Sequence, residues 1–348
     1  MFLEHKQANL YTKIKEPKFI SHINCYDIIF LSECRLNEQI DIDDNLINSR
    51  YFYKCFPRKS CKGGGLVLIY KKELHESLVI ENIVKESILW VKLLNGSHVE
   101  NNHFYIGFVY IPHENNVFYR KNELDLFSLL IEDISVYKEK GSVIVSGDFN
   151  SRIGTCPDFI ENDLMGTEVN NFISNVIDYN CDIPMSTRES QDIVVNSFGR
   201  KLLDLCRSTC TRVCNGRTFG DKNGKYTFFN HLGASVNDFT IVSENDFHLV
   251  DYFCVEDFNE WSDHAPIVFH VSVNVSTVCN DAFSNTKTRF VRSKWENSLY
   301  NDVKIELCKH LEQLEQTLAN VEGTVEGVNN CIESFTQILN NVFFAFLW

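Results

Sequence analysis

No stretch of the chain approaches the roughly eighteen consecutive apolar residues that a membrane-crossing helix needs, and the first residues, Met1-Phe2-Leu3-Glu4-His5-Lys6, lack the apolar core of a secretory signal. These two absences predict a soluble intracellular protein, nuclear or cytoplasmic, neither secreted nor membrane-bound. No Cys-x-x-Cys pair occurs among the 13 cysteines. Their odd number and scattered spacing indicate neither a disulfide framework nor a zinc knuckle, so reduced thiols are expected. Cys206, Cys210 and Cys214 fall four apart and would line one face of a helix, but a zinc site needs a fourth ligand, so they read as buried or incidental. Basic residues are also scarce: 33 Lys and Arg against 47 Asp and Glu give a formal charge of −14. That balance excludes a protein that coats nucleic acid nonspecifically, because phosphate binding rests on clustered cations.

What the chain has is apolar material: 348 residues that are 44% hydrophobic and 13% aromatic can bury a sizeable core in one large domain with an appendage. Its cations are also unevenly spread. Between Tyr51 and Lys72 stand Lys54, Arg58, Lys59, Lys62, Lys71 and Lys72 with no acidic residue, interleaved with Tyr51, Phe52, Tyr53 and Phe56. The pattern suits a surface that contacts a DNA backbone, and it equally suits a solvated loop beside a strand.

Apolar β-rich runs predict strands at 27–32, 66–70, 89–94, 104–111, 143–146, 239–242, 250–255 and 267–273. Leu124, Phe127, Leu130, Ile131, Ile134 and Tyr137 repeat at helical spacing before Gly141 and predict a helix that covers one sheet. A second helix is expected over 198–206, with Leu202, Leu203 and Leu205 as its apolar side. Composition turns polar around 279–289, which divides the chain into a domain at 1–275, a linker at 276–290 and a helical extension at 291–348. Within the extension, 295–318 reads as a polar helix, and Val325, Val328, Ile332, Phe335, Leu339 and Val342 as the stripe of another. The final Phe343-Phe344-Ala345-Phe346-Leu347-Trp348 reads as packing surface.

Four segments bring chemistry to strand ends. The run Asp27-Ile28-Ile29-Phe30-Leu31-Ser32-Glu33 delivers a carboxylate at the end of an apolar strand, the hard oxygen that magnesium requires. Taken alone, such a glutamate opens a solvated loop just as well. Phe108-Val109-Tyr110-Ile111-Pro112 aims a phenol from a strand end, although tyrosine in an aromatic strand is ordinarily core. Val143-Ile144-Val145-Ser146-Gly147-Asp148-Phe149-Asn150 is more specific. Gly147 permits a close turn, and Asp148 and Asn150, two apart, supply a charged acceptor and a neutral donor suited to orienting water against a phosphate. The same letters also fit an Asx turn closing a strand. Trp261-Ser262-Asp263-His264-Ala265-Pro266-Ile267 sets a carboxylate beside an imidazole just before a strand, and Asp238 upstream can hold that imidazole in one tautomer.

In this order the segments resemble the endonuclease/exonuclease/phosphatase superfamily over residues 10–273, and most of all the endonuclease domains of non-LTR (LINE-type) retrotransposons. The finer likeness lies in Ser197-Phe198-Gly199-Arg200-Lys201-Leu202-Leu203-Asp204-Leu205-Cys206, then Asn215-Gly216-Arg217, Gly220-Asp221 and Gly224-Lys225-Tyr226-Thr227, and in the passage from Arg289 to Trp295. The resemblance implies an α/β fold, a four-layer α/β/β/α sandwich, and a Mg²⁺- or Mn²⁺-dependent hydrolase that nicks one DNA strand by in-line attack of water. It implies that Glu33 and Asp263 bind the metal and that Tyr110 contacts the scissile phosphate. Asp148 would align or deprotonate the water, Asn150 support the phosphoryl group, and Asp238 orient His264. Lys54, Arg58, Lys59 and Lys62 are the expected DNA contacts. The same catalytic set in relatives serves phosphatases and phosphodiesterases of small molecules or lipids. The chain departs from the family at its first strand, where Lys6 and Ala8 stand at the metal-ligand and second polar positions and Asn9 replaces a glycine. An ammonium there competes with the metal, which implies either a first strand cut short or a catalytically impaired copy.

Overall fold

The computed structural model describes residues 1–6, 10–34, 50–57, 65–85, 87–94, 103–122, 124–161, 182, 184–272 and 309–310. The chain divides into two compact units, Met1–Cys279 and Asn280–Trp348. The expected linker at 276–290 and, apart from Lys309 and His310, the expected helical extension at 291–348 lie outside the described residues.

Alternation of side chains along strands that are apolar on both sides builds the first unit. In β2 (Ile28–Ser32) Ile28 and Phe30 join one buried cluster while Ile29 and Leu31 join another. In β4 (Leu66–Lys71) Leu66, Leu68 and Tyr70 divide from Val67 and Ile69 in the same way. Strands buried on both faces read as continuous apolar runs, which is why these were visible in the sequence. They belong to a six-stranded sheet in the order β13 (Val250–Val255), β14 (Ile267–Val271), β1 (Phe2–Lys6), β2, β4, β3 (Tyr51–Phe56). The second sheet runs β5 (Leu78–Val84), β6 (Ile88–Leu93), β7 (His103–Tyr110), β8 (Gly141–Asp148), β12 (Asp238–Ser243), β9 (Thr211–Val213). A short ribbon pairs β10 (Phe228–Asn230) with β11 (Gly233–Ser235).

The sheets pack face to face through the cluster that holds Phe30, Leu68, Phe108 and Ile144, with the Phe30 and Phe108 rings stacked at 4.9 Å. On the outside of the first sheet, α1 (Leu10–Lys13) and α2 (Pro17–Ile23) lay down Leu10, Phe19, Ile20 and Ile23. On the outside of the second, α3 (Val117–Asn122), α4 (Leu126–Lys138) and α5 (Ser197–Thr209) contribute Phe118, Leu130, Ile134, Leu202 and Leu205. Each fully buried side chain of this size contributes about 1.5–3 kcal/mol, so the four layers α/β/β/α follow from three stacked apolar interfaces. No helix among the described residues is long and apolar enough to cross a membrane.

Several boundaries differ from expectation for local reasons. The first long helix starts at Leu126 because the Asp125 carboxylate accepts from the Phe127 N–H at 3.1 Å and caps it. Gly141, expected to stop that helix, is already the first residue of β8. Cys206, Cys210 and Cys214 do not share a helix face: α5 ends where Cys210 turns left-handed at φ 48°, and Cys214 follows β9. Cys210 instead lies with Asp182 and Glu244, two carboxylates that both accept from the Arg212 guanidinium.

Buried ion pairs tie down the connection after β8. Arg217 donates to both Asp158 oxygens, at 2.8 and 3.1 Å, with both side chains almost wholly out of solvent, and the Val213 N–H adds a third bond at 2.7 Å. Arg217→Ala strands the Asp158 charge and is expected to cost about 3 kcal/mol. A urea unfolding midpoint that stays put would show that the pair adds nothing to stability.

Candidate active site

Strand register assembles the site. β7 and β8 are parallel with Tyr110 opposite Asp148, and β8 and β12 are antiparallel with Asp148 opposite Asp238. Opposed residues on neighbouring strands point to the same face, so Tyr110, Asp148 and Asp238 form one row at the end of the second sheet. The face is the inner one: Tyr110 belongs to the cluster between the sheets, as do Ile144, four residues before Asp148, and Val242, four after Asp238.

The first sheet supplies the rest. β2 runs parallel to β1, and β14 runs antiparallel to it, so the chain leaving β2 and the chain entering β14 meet at the same edge. Glu33 follows β2 with φ 52°, a left-handed turn that is uncommon for a residue with a side chain, and the Tyr110 hydroxyl donates to its carboxylate from the other sheet. His264 precedes β14 and presents Nδ1 to both Asp238 oxygens, at 2.9 and 3.0 Å. The Phe228 ring tilts against the imidazole at 4.8 Å, and the Ser262 hydroxyl accepts from the His264 N–H at 3.0 Å.

Asp148, Asp238 and His264 are 0%, 1% and 2% exposed, and each offers a ligand atom within 4.8 Å of the other two. Two carboxylates and an imidazole so close together out of water form a group able to hold a metal ion or to share a proton. An Nδ1–H donated to Asp238 fixes the tautomer and leaves Nε2 as the nitrogen that can exchange a proton.

Asn150 reaches Asp148 by a route other than strand periodicity. β8 ends at Asp148, and a left-handed Asn150, φ 48°, closes an Asx turn in which its N–H donates to Asp148 Oδ1 at 2.9 Å. Its amide donates to the Ile111 carbonyl at 2.8 Å and to Asp148 Oδ2 at 3.3 Å, while the Asn196 amide, from the residue capping α5, holds the Asn150 carbonyl at 3.1 Å. Gly147 is not the turn the sequence suggested. It lies inside β8 with φ 146°, where a Cβ would stand 2.0 Å from the Val109 carbonyl oxygen.

Asp263 is exposed and lies outside the close group of Asp148, Asp238 and His264, and its carbonyl accepts from the Phe229 N–H at 2.9 Å. Of the expected DNA contacts, Lys54 is exposed on β3, the edge strand of the first sheet, while Arg58, Lys59 and Lys62 lie outside the described residues. Of the aromatic residues among those cations, Tyr51 is buried and its hydroxyl donates to the Tyr26 carbonyl at 2.9 Å, whereas Phe52 is exposed. Lys71 is committed to Asp27 at 2.6 Å, and Lys72 sits over the Phe52 ring at 5.3 Å. Ala8 and Asn9 lie outside the described residues, as does the Lys6 side chain. Residue reading by itself missed Thr227, whose hydroxyl accepts from the N–H groups of Asn237 and Asp238 at 2.9 and 3.1 Å. Its only sequence signal was its place in the stretch that resembles the retrotransposon endonucleases.

Residues 3–264 match the Endonuclease/Exonuclease/phosphatase family. Among solved structures, NExo, a 3′-5′ exonuclease from Neisseria meningitidis, aligns at TM-score 0.50 and 14% identity, over 78% of this chain and 98% of that one. A structure described as the 3′ phosphatase NExo from Neisseria bound to product DNA hairpin aligns at TM-score 0.51 and 14% identity, with the same coverage of 78% and 98%. These two share the fold. The endonuclease domain of TRAS1, a telomere-specific non-LTR retrotransposon, gives TM-score 0.47 and 11% identity over 78% of this chain and 98% of that one. No curated protein matches the chain.

Proposed function

The chain belongs to the endonuclease/exonuclease/phosphatase family, whose members hydrolyse phosphoester bonds, and from that premise we propose that it is a retrotransposon-derived, magnesium-dependent endonuclease that nicks one strand of DNA. The observation that supports it most is the buried Asp238–His264 pair beside Asp148, at the sandwich edge where Glu33 meets Tyr110. Asp148 aligns the attacking water and takes its proton, Asn150 supports the phosphoryl group, and Tyr110 contacts a phosphate oxygen. His264, held in one tautomer by Asp238, acts on the phosphoryl group. The donor chemistry suits a hard divalent cation: Glu33 and Asp263, the latter exposed, would hold Mg²⁺ or Mn²⁺ through carboxylate oxygens. When bound, the ion supplies positive charge against the charge that builds up on the phosphate. The retrotransposon origin rests on the interior stretches from Ser197 to Thr227.

Magnesium-dependent nicking of supercoiled plasmid tests the reading. The purified chain should convert supercoiled DNA to open circle, EDTA should stop it, and His264→Ala should lower the rate roughly 100-fold or more. Release of phosphate from inositol phosphates with no nicking would move the reaction to small molecules. Nicking by a Lys6→Asn/Ala8→Asp variant but not by the parent would mark the natural copy as impaired. If Lys54, Arg58, Lys59 and Lys62 contact the DNA backbone, neutralising them should flatten the plot of log binding constant against log salt by roughly 0.9 for each phosphate that no longer meets a cation. An unchanged slope would place the DNA elsewhere.

A further inference from the structure

We infer that Asn215 is a positioning residue for this site, its side-chain amide standing in for a missing strand and fixing the backbone of Asp238, and through Asp238 the imidazole of His264. The inference deepens the nuclease reading and rests on it for its kinetic consequence only.

β12 carries Asp238 at its first residue, with β8 along one edge. On its other edge β9 is too short to reach Asp238, since the pairing covers only Ile241 with Val213, Val242 with Arg212 and Ser243 with Thr211. The Cys214 N–H still reaches the Thr240 carbonyl at 2.8 Å, but there the chain bends away through a turn closed on the Cys214 carbonyl. Gly216 is required in that turn: its φ is 77°, and a Cβ would stand 1.9 Å from the Glu189 carbonyl oxygen. The Asp238 carbonyl and the Thr240 N–H therefore face a strand that has ended, and both belong to residues out of solvent. A buried peptide group left in that state costs as much as a broken hydrogen bond.

Asn215 fills the gap. Its Nδ2 donates to the Asp238 carbonyl at 3.1 Å and its Oδ1 accepts from the Thr240 N–H at 3.2 Å, so one primary amide presents donor and acceptor as a peptide group would. With the Thr227 hydroxyl on the Asp238 N–H, all three polar groups of Asp238 are then committed: N–H to Thr227, carbonyl to Asn215 and carboxylate to His264. Aspartate at position 215 keeps the acceptor and loses the donor, whereas alanine loses both.

The experiment uses the full chain with Asn215→Ala and Asn215→Asp, each checked for cooperative melting, and the aspartate variant preserves the side-chain volume should the alanine variant not fold. Displaced supporting residues of this kind typically cost roughly 10- to 100-fold. We expect a fall of that size in kcat with KM moved by less than about twofold, and no added loss when Asn215→Ala is placed in an Asp238→Ala background. Independently of turnover, the downfield proton resonance of the His264 Nδ1–H bound to Asp238 should shift or broaden in both variants. Losses that multiply in the double variant, or a resonance that stays where it is, overturn the inference. A wild-type chain that does not nick removes the nuclease reading instead and leaves the resonance to decide, since it is read without substrate.

Discussion

Alanine at position 148 is expected to lower phosphodiester cleavage by on the order of 10³-fold while leaving the fold as stable as the parent's, or more so. The two halves of that expectation share one cause. Asp148 is 0% exposed, directly opposite Asp238 across β8 and β12, with the imidazole of His264 in the same small space. Holding two carboxylates there without water is unfavourable, even with the Asn150 N–H donating to Asp148 Oδ1 at 2.9 Å. Removing it relieves repulsion and sacrifices little packing, as is common where a protein trades stability for reactivity. Initial nicking rates and melting curves on one preparation separate the effects. A variant that retains activity within tenfold of the parent would move the attack on water to another group.

The second large effect is on folding. Gly147→Ala is expected to destabilise the chain by about 4 kcal/mol, because the residue sits next to the end of β8 at φ 146° and a methyl group would be driven to 2.0 Å from the Val109 carbonyl oxygen. Backbone on both sides is pinned: Val109 and Gly147 are register partners in the parallel pair β7 and β8, one step before Tyr110 and Asp148. Relief would have to separate the strands where the site lies, so the survivors of such a substitution should also lose activity. Gly107 is crowded in another way, since its missing methyl would meet not backbone but the Trp90 ring at 2.9 Å, a fully buried side chain whose Nε1 donates to Asp133 at 2.7 Å. Urea midpoints decide the matter, and a change under about 1 kcal/mol would mean that the two strands do not approach so closely.

The parts of this molecule that were legible in its sequence are those written in local pattern. Apolar runs announced β2, β4, β6, β7, β8, β12, β13 and β14, and helical spacing announced α4 and α5. β3 was hidden because Lys54 and the cations that follow it give the stretch the pattern of a charged surface, although its Tyr51, Tyr53 and Cys55 pack on the outer core of the first sheet. β5 mixes Glu81 and Asn82 into an apolar run, and β9, β10 and β11 have three residues each, too few to show a period. At the site, the strand ends bearing Glu33, Tyr110, Asp148 and His264 could be located, and Asp238 could be named as the partner of His264. What no local pattern contains is register. The Tyr110 hydroxyl on Glu33, the Thr227 hydroxyl under Asp238 and the Asn215 amide beside it join residues separated by 77, 11 and 23 positions. Such contacts exist only once distant strands have chosen their neighbours.

One consequence of the two-sheet construction reaches beyond the groups themselves. The row of Tyr110, Asp148 and Asp238 hangs from one sheet, while Glu33 and His264 hang from the other, like the two jaws of a calliper whose opening is set by what is clamped behind them. The spacer is the aromatic filling between the sheets, Phe30 on Phe108 among it. The gap between the two sets of groups is thus a dimension of the hydrophobic interior, and the tolerances of that interior are passed directly to their spacing.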